Sequence, residues 1–181
     1  MADCIQLRAK DIDDDAFFAL AGEFVSLCKK ANVISIINDR VDIAVACNAD
    51  GVHLGQNDLP IEQAKKLELT PLIIGKSTHS LDQLRDACKE YPTYVALGPV
   101  FATSTKPNVP AAGLDYVKNA LEILADTGIC HVAVGGINLS NIEQVLKSGA
   151  VTIAVCSAVT GSDDPTVSCR ALKEKIIKWM P

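Results

Sequence analysis

Aromatic residues are scarce, only 4% of 181 positions, so a protein that works by stacking bases on aromatic platforms is a poor fit. Positive charge is not in excess either. Lys and Arg number 17 against 22 Asp and Glu, a formal net charge of −5, which argues against a nucleic-acid partner held by a basic face. A local cationic pocket stays compatible with that balance, because net charge does not describe one cleft. No run of about eighteen apolar residues occurs, so no membrane partner is expected. Met1-Ala2-Asp3-Cys4 lacks the basic patch and apolar stretch of a secretory signal. The cysteines, at 4, 28, 47, 88, 130, 156 and 169, are odd in number and form no C-x-x-C pair. That argues against a disulfide framework and a structural zinc site, and most of them read as small buried hydrophobes of a cytoplasmic protein. His53, His79 and His131 show no H-x-x-x-H spacing, and no G-x-G-x-x-G, Walker A or G-x-S-x-G string appears. Zinc, Rossmann, P-loop and serine-hydrolase chemistry all lack their residues.

What is present is a regular alternation. Short apolar runs at Cys4–Leu7, Ser35–Asn38, Gly51–Leu54, Leu72–Lys76, Tyr94–Leu97, His131–Val134 and Thr152–Cys156 predict strands. Helical stripes lie between them, such as Phe17, Leu20, Phe24 and Leu27, or Leu114, Val117, Leu121 and Leu124. Asp13 and Ser80 are candidate helix caps, and Asp164-Pro165 opens a last helix carrying Leu172, Ile176 and Ile177. With no linker visible, residues 1–181 read as one α/β domain of seven strand–helix units, either an open doubly wound sheet or a lean (β/α)8 barrel lacking one unit.

Polar residues gather just after the strands, where parallel α/β folds build their sites. Arg8 and Lys10, in alternation, could present two cations to a diphosphate, though taken alone they read rather as two solvated surface cations. Asn38-Asp39 is either a helix-capping turn or, with Asp58, a carboxylate pair for Mg²⁺. Thr103-Ser104-Thr105-Lys106 offers hydroxyls and an ammonium to a phosphate, or is a surface loop. Gly135-Gly136 is an anion-binding turn or simply a tight one, and Ser157 follows the last strand.

Taken in order, these strings resemble the thiamine phosphate synthase (thiamine-phosphate pyrophosphorylase) family. They are Gln6-Leu7-Arg8-x-Lys10, Ile37 to Asp42, Asp50 to Asp58, Gly75-x-Ser77-Thr78-His79, Thr103 to Lys106, Gly135-Gly136-Ile137 and Cys156-Ser157-Ala158. The resemblance implies a TIM (β/α)8-type barrel and a transferase that joins hydroxymethylpyrimidine diphosphate to thiazole phosphate, releasing pyrophosphate and giving thiamine phosphate. It implies that Gln6, Arg8, Lys10, Asn38, Ser77 and Lys106 hold the diphosphate, with Arg8, Lys10, Ser77 and Lys106 acting in catalysis. Asp39 and Asp58 would bind Mg²⁺; Thr103, Ser104, Thr105, Gly136, Cys156 and Ser157 would seat the thiazole phosphate. The related thiazole tautomerase carries a histidine where Pro99 stands here, which favours the synthase. The family opens with a further strand and helix before Gln6, and here Met1 lies five residues before it. The expectation is therefore a barrel lacking its first strand and helix. Either a longer chain supplies them, or a second subunit of a homo-oligomer closes the gap, or the protein is a non-catalytic remnant that still binds phosphorylated ligands.

Overall fold

The computed structural model describes residues 2–67, 71–103, 105 and 109–180. Strands and helices alternate as β1 (Cys4–Leu7), α1 (Asp14–Ala31), β2 (Ile34–Asn38), α2 (Val41–Ala46), β3 (Gly51–Leu54), α3 (Ile61–Leu67), β4 (Ile73–Thr78) and α4 (Leu81–Lys89). The series continues as β5 (Tyr94–Leu97), α5 (Gly113–Leu124), β6 (Cys130–Val134), α6 (Ile142–Lys147), β7 (Ile153–Ala154), α7 (Ser157–Thr160) and α8 (Pro165–Ile177). Strand order follows chain order, β1 to β7. This is the α/β, TIM-like class that the alternation predicts, with a strand at each of the seven expected places. No helix among the described residues is long and apolar enough to cross a membrane. The chain divides into two compact units, Ala2–Lys76 and Ser77–Pro181, with the boundary inside β4.

In the first unit the register assigns every strand residue a face. Gln6 pairs with Ile36, Asn38 with His53, and His53 with Gly75, all in parallel. The residues between them, Leu7, Ile37, Val52, Leu54 and Ile74, pack with Phe17, Ala21, Val41, Ala44, Ile61 and Ala64 of the helices. A period of two therefore sorts this sheet into a helix-covered apolar face and an opposite face carrying Gln6, Asn38 and His53. Gly51 lies on that second face, where a Cβ would stand 2.2 Å from the Ile73 carbonyl oxygen. Asp50 fastens the strand entrances: its carboxylate accepts from the Ser35 N–H at 2.8 Å and the Ser35 hydroxyl at 2.7 Å.

In the second unit Val95, Leu97 and Ala133 meet Val117, Ala120, Leu124, Val145, Leu146 and Leu172. Thr78, fully buried, donates to the Ala96 carbonyl at 3.0 Å and accepts from the Tyr116 hydroxyl at 2.7 Å. Burial holds that phenol's pKa up at about 12. His131 pairs with Val95 on the helix-covered side, and its buried Nε2 has no partner. Desolvation lowers its pKa.

Several local expectations need correction. The buried side of α1 is Phe17, Ala21, Val25 and Cys28, while Leu20 and Leu27 are exposed. Choosing the largest apolar residues misplaced the stripe, because the sheet accepts small side chains at close approach. Asp13 occupies the N-cap of α1 without a side-chain hydrogen bond, whereas Ser80 and Asp164 both cap through their side chains. Leu172 is buried but Ile177 is exposed. All seven cysteines are free, yet only Cys28 is buried; Cys4, Cys130 and Cys156 are exposed.

Two outcomes test this packing. Gly51→Ala should lower unfolding free energy by about 1–3 kcal/mol or more, measured by denaturant titration, since its methyl meets backbone rather than a movable side chain. His131 is held neutral by folding, so the unfolded chain binds its proton more readily. Its stabilising contribution is complete above the ordinary histidine pKa of about 6.5 and is lost as pH falls towards the depressed folded value. His131→Leu should therefore flatten the decline of melting temperature between about pH 7 and about pH 5.

Candidate functional site

Within Ala2–Lys76, the carboxylates expected to hold metal do converge. Asn38 ends β2, 8% exposed, and Asp39 follows at φ 66°, in the left-handed region. A non-glycine residue there costs on the order of 1 kcal/mol, and Asp is among the few that tolerate it. The conformation is fixed on both sides: the Asp39 N–H donates to the His53 carbonyl at 2.8 Å, and the Arg40 N–H to the Asn38 carbonyl at 2.8 Å. Arg40, not Asp39, is the N-cap residue of α2. The capping explanation of Asp39 is thereby removed. The Arg40 guanidinium is itself clamped, by both Asp42 oxygens at 2.9 and 2.7 Å and by Asp14 at 2.5 Å.

Asp58 reaches the same place from the loop after β3, where one carboxylate oxygen accepts from the Gly55 N–H at 2.5 Å. A Cβ on Gly55 would lie 2.9 Å from that oxygen, so a side chain there would push the Asp58 carboxylate aside. Lys10 Nζ stands 3.5 Å from the Asp39 carboxylate. Burial holds the Asp39 carboxyl above the usual range, helped by hydrogen-bonding contact with Asp58 and by the Asp58 charge, while Lys10 pulls it down. Two carboxylates pressed together beyond what one ammonium offsets suit a divalent cation, and hard oxygen donors suit Mg²⁺. Among the described residues no cluster of three or more His, Cys, Asp or Glu could hold a metal ion. Two carboxylates nevertheless suffice for Mg²⁺, which usually completes its shell with substrate oxygens and water. Gln6 on β1 and Arg8 just beyond it are both exposed.

In the second unit a cavity of about 290 Å³ is lined by Ala102, Thr103, Gly136, Ile137, Asn138, Ser157 and Ala158. Three of the expected phosphate residues, Thr103, Gly136 and Ser157, meet there. Gly135 and Gly136 have φ of 103° and 65°, and a Cβ on either would strike Pro99 or the Phe101–Ala102 backbone. The Val100 and Phe101 N–H groups donate to the Val134 and Gly135 carbonyls at 2.9 and 3.0 Å, stitching the two loops together. Thr103 Oγ1 accepts from the Thr105 N–H at 3.2 Å, and Thr105 is exposed. Cys156 is the exposed N-cap residue of α7, which Ser157 opens. Ser77 is 5% exposed, beside Thr78 in β4. His79 Nδ1 pairs with the Gly98 carbonyl, to which it must donate. Ser104 and Lys106 lie outside the described residues.

The site reading missed Arg40, Ile137, Asn138 and Asn141. Asn141 Nδ2 donates to the Gly136 carbonyl at 2.9 Å, and its Oδ1 accepts from the Asn138 N–H at 2.8 Å. An Asn three residues before another, ahead of an apolar helix, was the available signal.

Comparison with known proteins identifies the family. The family model "Thiamine monophosphate synthase" matches residues 1–159. The chain is 40% identical over 174 residues to a thiamine-phosphate synthase of Prochlorococcus marinus, covering 96% of this chain but 49% of that protein. It thus spans about half the length of the first such relatives. Against the thiamine-phosphate synthase of Coprothermobacter proteolyticus, identity is 43% over 175 residues, 97% of this chain and 82% of that one. Among solved structures, thiamine phosphate pyrophosphorylase from Pyrococcus furiosus superposes with a TM-score of 0.90 at 34% identity, over 99% of this chain and 85% of that chain. With its strand-end carboxylate pair and glycine-walled pocket in place, the chain belongs to the thiamine monophosphate synthase family.

Proposed function

We propose that this protein is a transferase of thiamine biosynthesis, coupling hydroxymethylpyrimidine diphosphate to thiazole phosphate with release of pyrophosphate. The observation that carries the reading is the convergence of Asp39, Asp58 and Lys10, with Asp39 in a backbone conformation that no capping role explains. Pro99, where the tautomerase resemblance carries histidine, favours the synthase over proton transfer.

Gln6, Arg8, Lys10 and Asn38 serve the diphosphate in this reading; Thr103, Thr105, Gly136, Cys156 and Ser157 serve the thiazole phosphate. Family resemblance adds Ser77 and Lys106 to the first set and Ser104 to the second. Asp39 and Asp58 would hold Mg²⁺, which when bound supplies positive charge to the departing diphosphate. In the reaction the methylene C–O bond breaks, its electron pair leaving on diphosphate, and the thiazole nitrogen lone pair forms the new C–N bond. Arg8 and Lys10 offset the growing negative charge, and no side-chain nucleophile or base is required. The residues' work is positioning and electrostatics. Seven unpaired thiols suit a reducing compartment, so we place the enzyme in the cytoplasm.

The full chain, given both substrates and Mg²⁺, should form thiamine phosphate and pyrophosphate in equal amounts. Folded protein that makes neither overturns the catalytic reading and favours a ligand-binding remnant. Asp39→Asn keeps a residue tolerant of the left-handed backbone but removes the carboxylate charge. It should weaken Mn²⁺ binding at least about tenfold and lower turnover about 100-fold, with melting temperature nearly unchanged. Turnover close to the parent's would make Asp39 a purely structural residue.

A further inference from the structure

We propose that Asn141 is a positioning residue for phosphate recognition: it holds the Gly136–Ile137 peptide with its N–H aimed into the pocket. The inference rests on the phosphate-binding reading of the cavity between Thr103, Gly136 and Ser157. A peptide unit is planar and trans, so the carbonyl of Gly136 and the N–H of Ile137 point in opposite directions. The Asn141 amide takes hold of that carbonyl from outside the pocket lining, donating to it at 2.9 Å. Ile137 and Gly136 themselves line the cavity. Asn141 is the nearer of two donors to that carbonyl, Asn138 Nδ2 lying at 3.5 Å, and pinning the carbonyl on the Asn141 side turns the Ile137 N–H to the cavity side.

Such a hold is needed because of the glycines. With φ of 103° and 65°, Gly135 and Gly136 occupy a region where glycine has wide freedom, and a peptide between glycine and its neighbour can flip at little cost. A flipped unit would present a carbonyl oxygen to an anion. Asn141 opposes the flip from two directions, since its Oδ1 also accepts from the Asn138 N–H at 2.8 Å and so fixes the far end of the same turn. Asn138 in turn is held by Ser140, whose N–H and hydroxyl both donate to the Asn138 Oδ1, at 2.9 and 2.6 Å. The half-buried Asn141 is thus a bracket across residues 136–138, outside the cavity lining.

Two variants separate donor loss from added charge. Asn141→Asp keeps the acceptor for Asn138 but replaces the donor with a second oxygen facing the Gly136 carbonyl; Asn141→Leu removes both bonds without charge. Inorganic phosphate, titrated into the full chain and followed calorimetrically and by the amide resonance of Ile137, is the probe. The parent should bind phosphate and shift the Ile137 resonance; both variants should bind about tenfold more weakly or worse. In the coupling assay, KM for thiazole phosphate should rise about tenfold while KM for the pyrimidine diphosphate stays within about twofold. Parent protein that fails to bind phosphate overturns the pocket reading itself. Phosphate binding by folded Asn141→Leu at the parent's affinity, or a rise in both KM values alike, overturns the role of Asn141 alone.

Discussion

Everything in each unit depends on the parallel register of short strands, which decides where every second side chain goes. Because Leu54 and Ile74 must reach helices, His53 and Gly75 must face the other way. The same rule places Asn38, the last residue of β2, opposite the helices. A slip of one residue would turn Asn38 towards the helices and Ile37 away from them, so the packing of a few branched side chains on the helices fixes the polar ones. The glycines at 51 and 98 reflect the same constraint: a Cβ there would collide with backbone of the neighbouring strand.

Chemistry begins where that regularity stops. Asp39 is the first residue past β2, and the chain accepts a left-handed conformation there to bring its carboxylate to Asp58. The cost is met by hydrogen bonds around the turn: the His53 and Asn38 carbonyls accept from the Asp39 and Arg40 N–H groups, and Arg40 is clamped on Asp42 and Asp14. Asp14 sits on α1, so a helix distant in sequence braces the turn that carries the proposed metal ligand. The pocket of the second unit follows the same design, with Asn141 outside the lining and glycines at the wall.

Much of this was legible in the chain. All seven strands fall where apolar, β-branched runs place them, because burial on the helix side demands such residues and the runs are short. Thr103, Gly136 and Ser157 meet as expected because parallel strands present all their C-terminal ends in one direction. The face of α1 was less legible: Leu20 and Leu27 are as apolar as any core residue, and only packing against the sheet selects Ala21 and Cys28 instead. The burial of most cysteines was misjudged for a similar reason, since Cys4 and Cys130 lie at strand entrances.

Sequence by itself therefore determined the element order, the strand faces and the residue types available at strand ends, because these follow from local periodicity and from chemistry carried by single side chains. Only the tertiary structure decided which polar residues touch. Asp39 with Asp58, Arg40 with Asp14 and Thr78 with Tyr116 are separated by 19, 26 and 38 positions, as their numbers give. No periodicity encodes such distances. They arise when strands of fixed register bring remote loops within hydrogen-bond reach, and there the physics of buried charge takes over from the pattern.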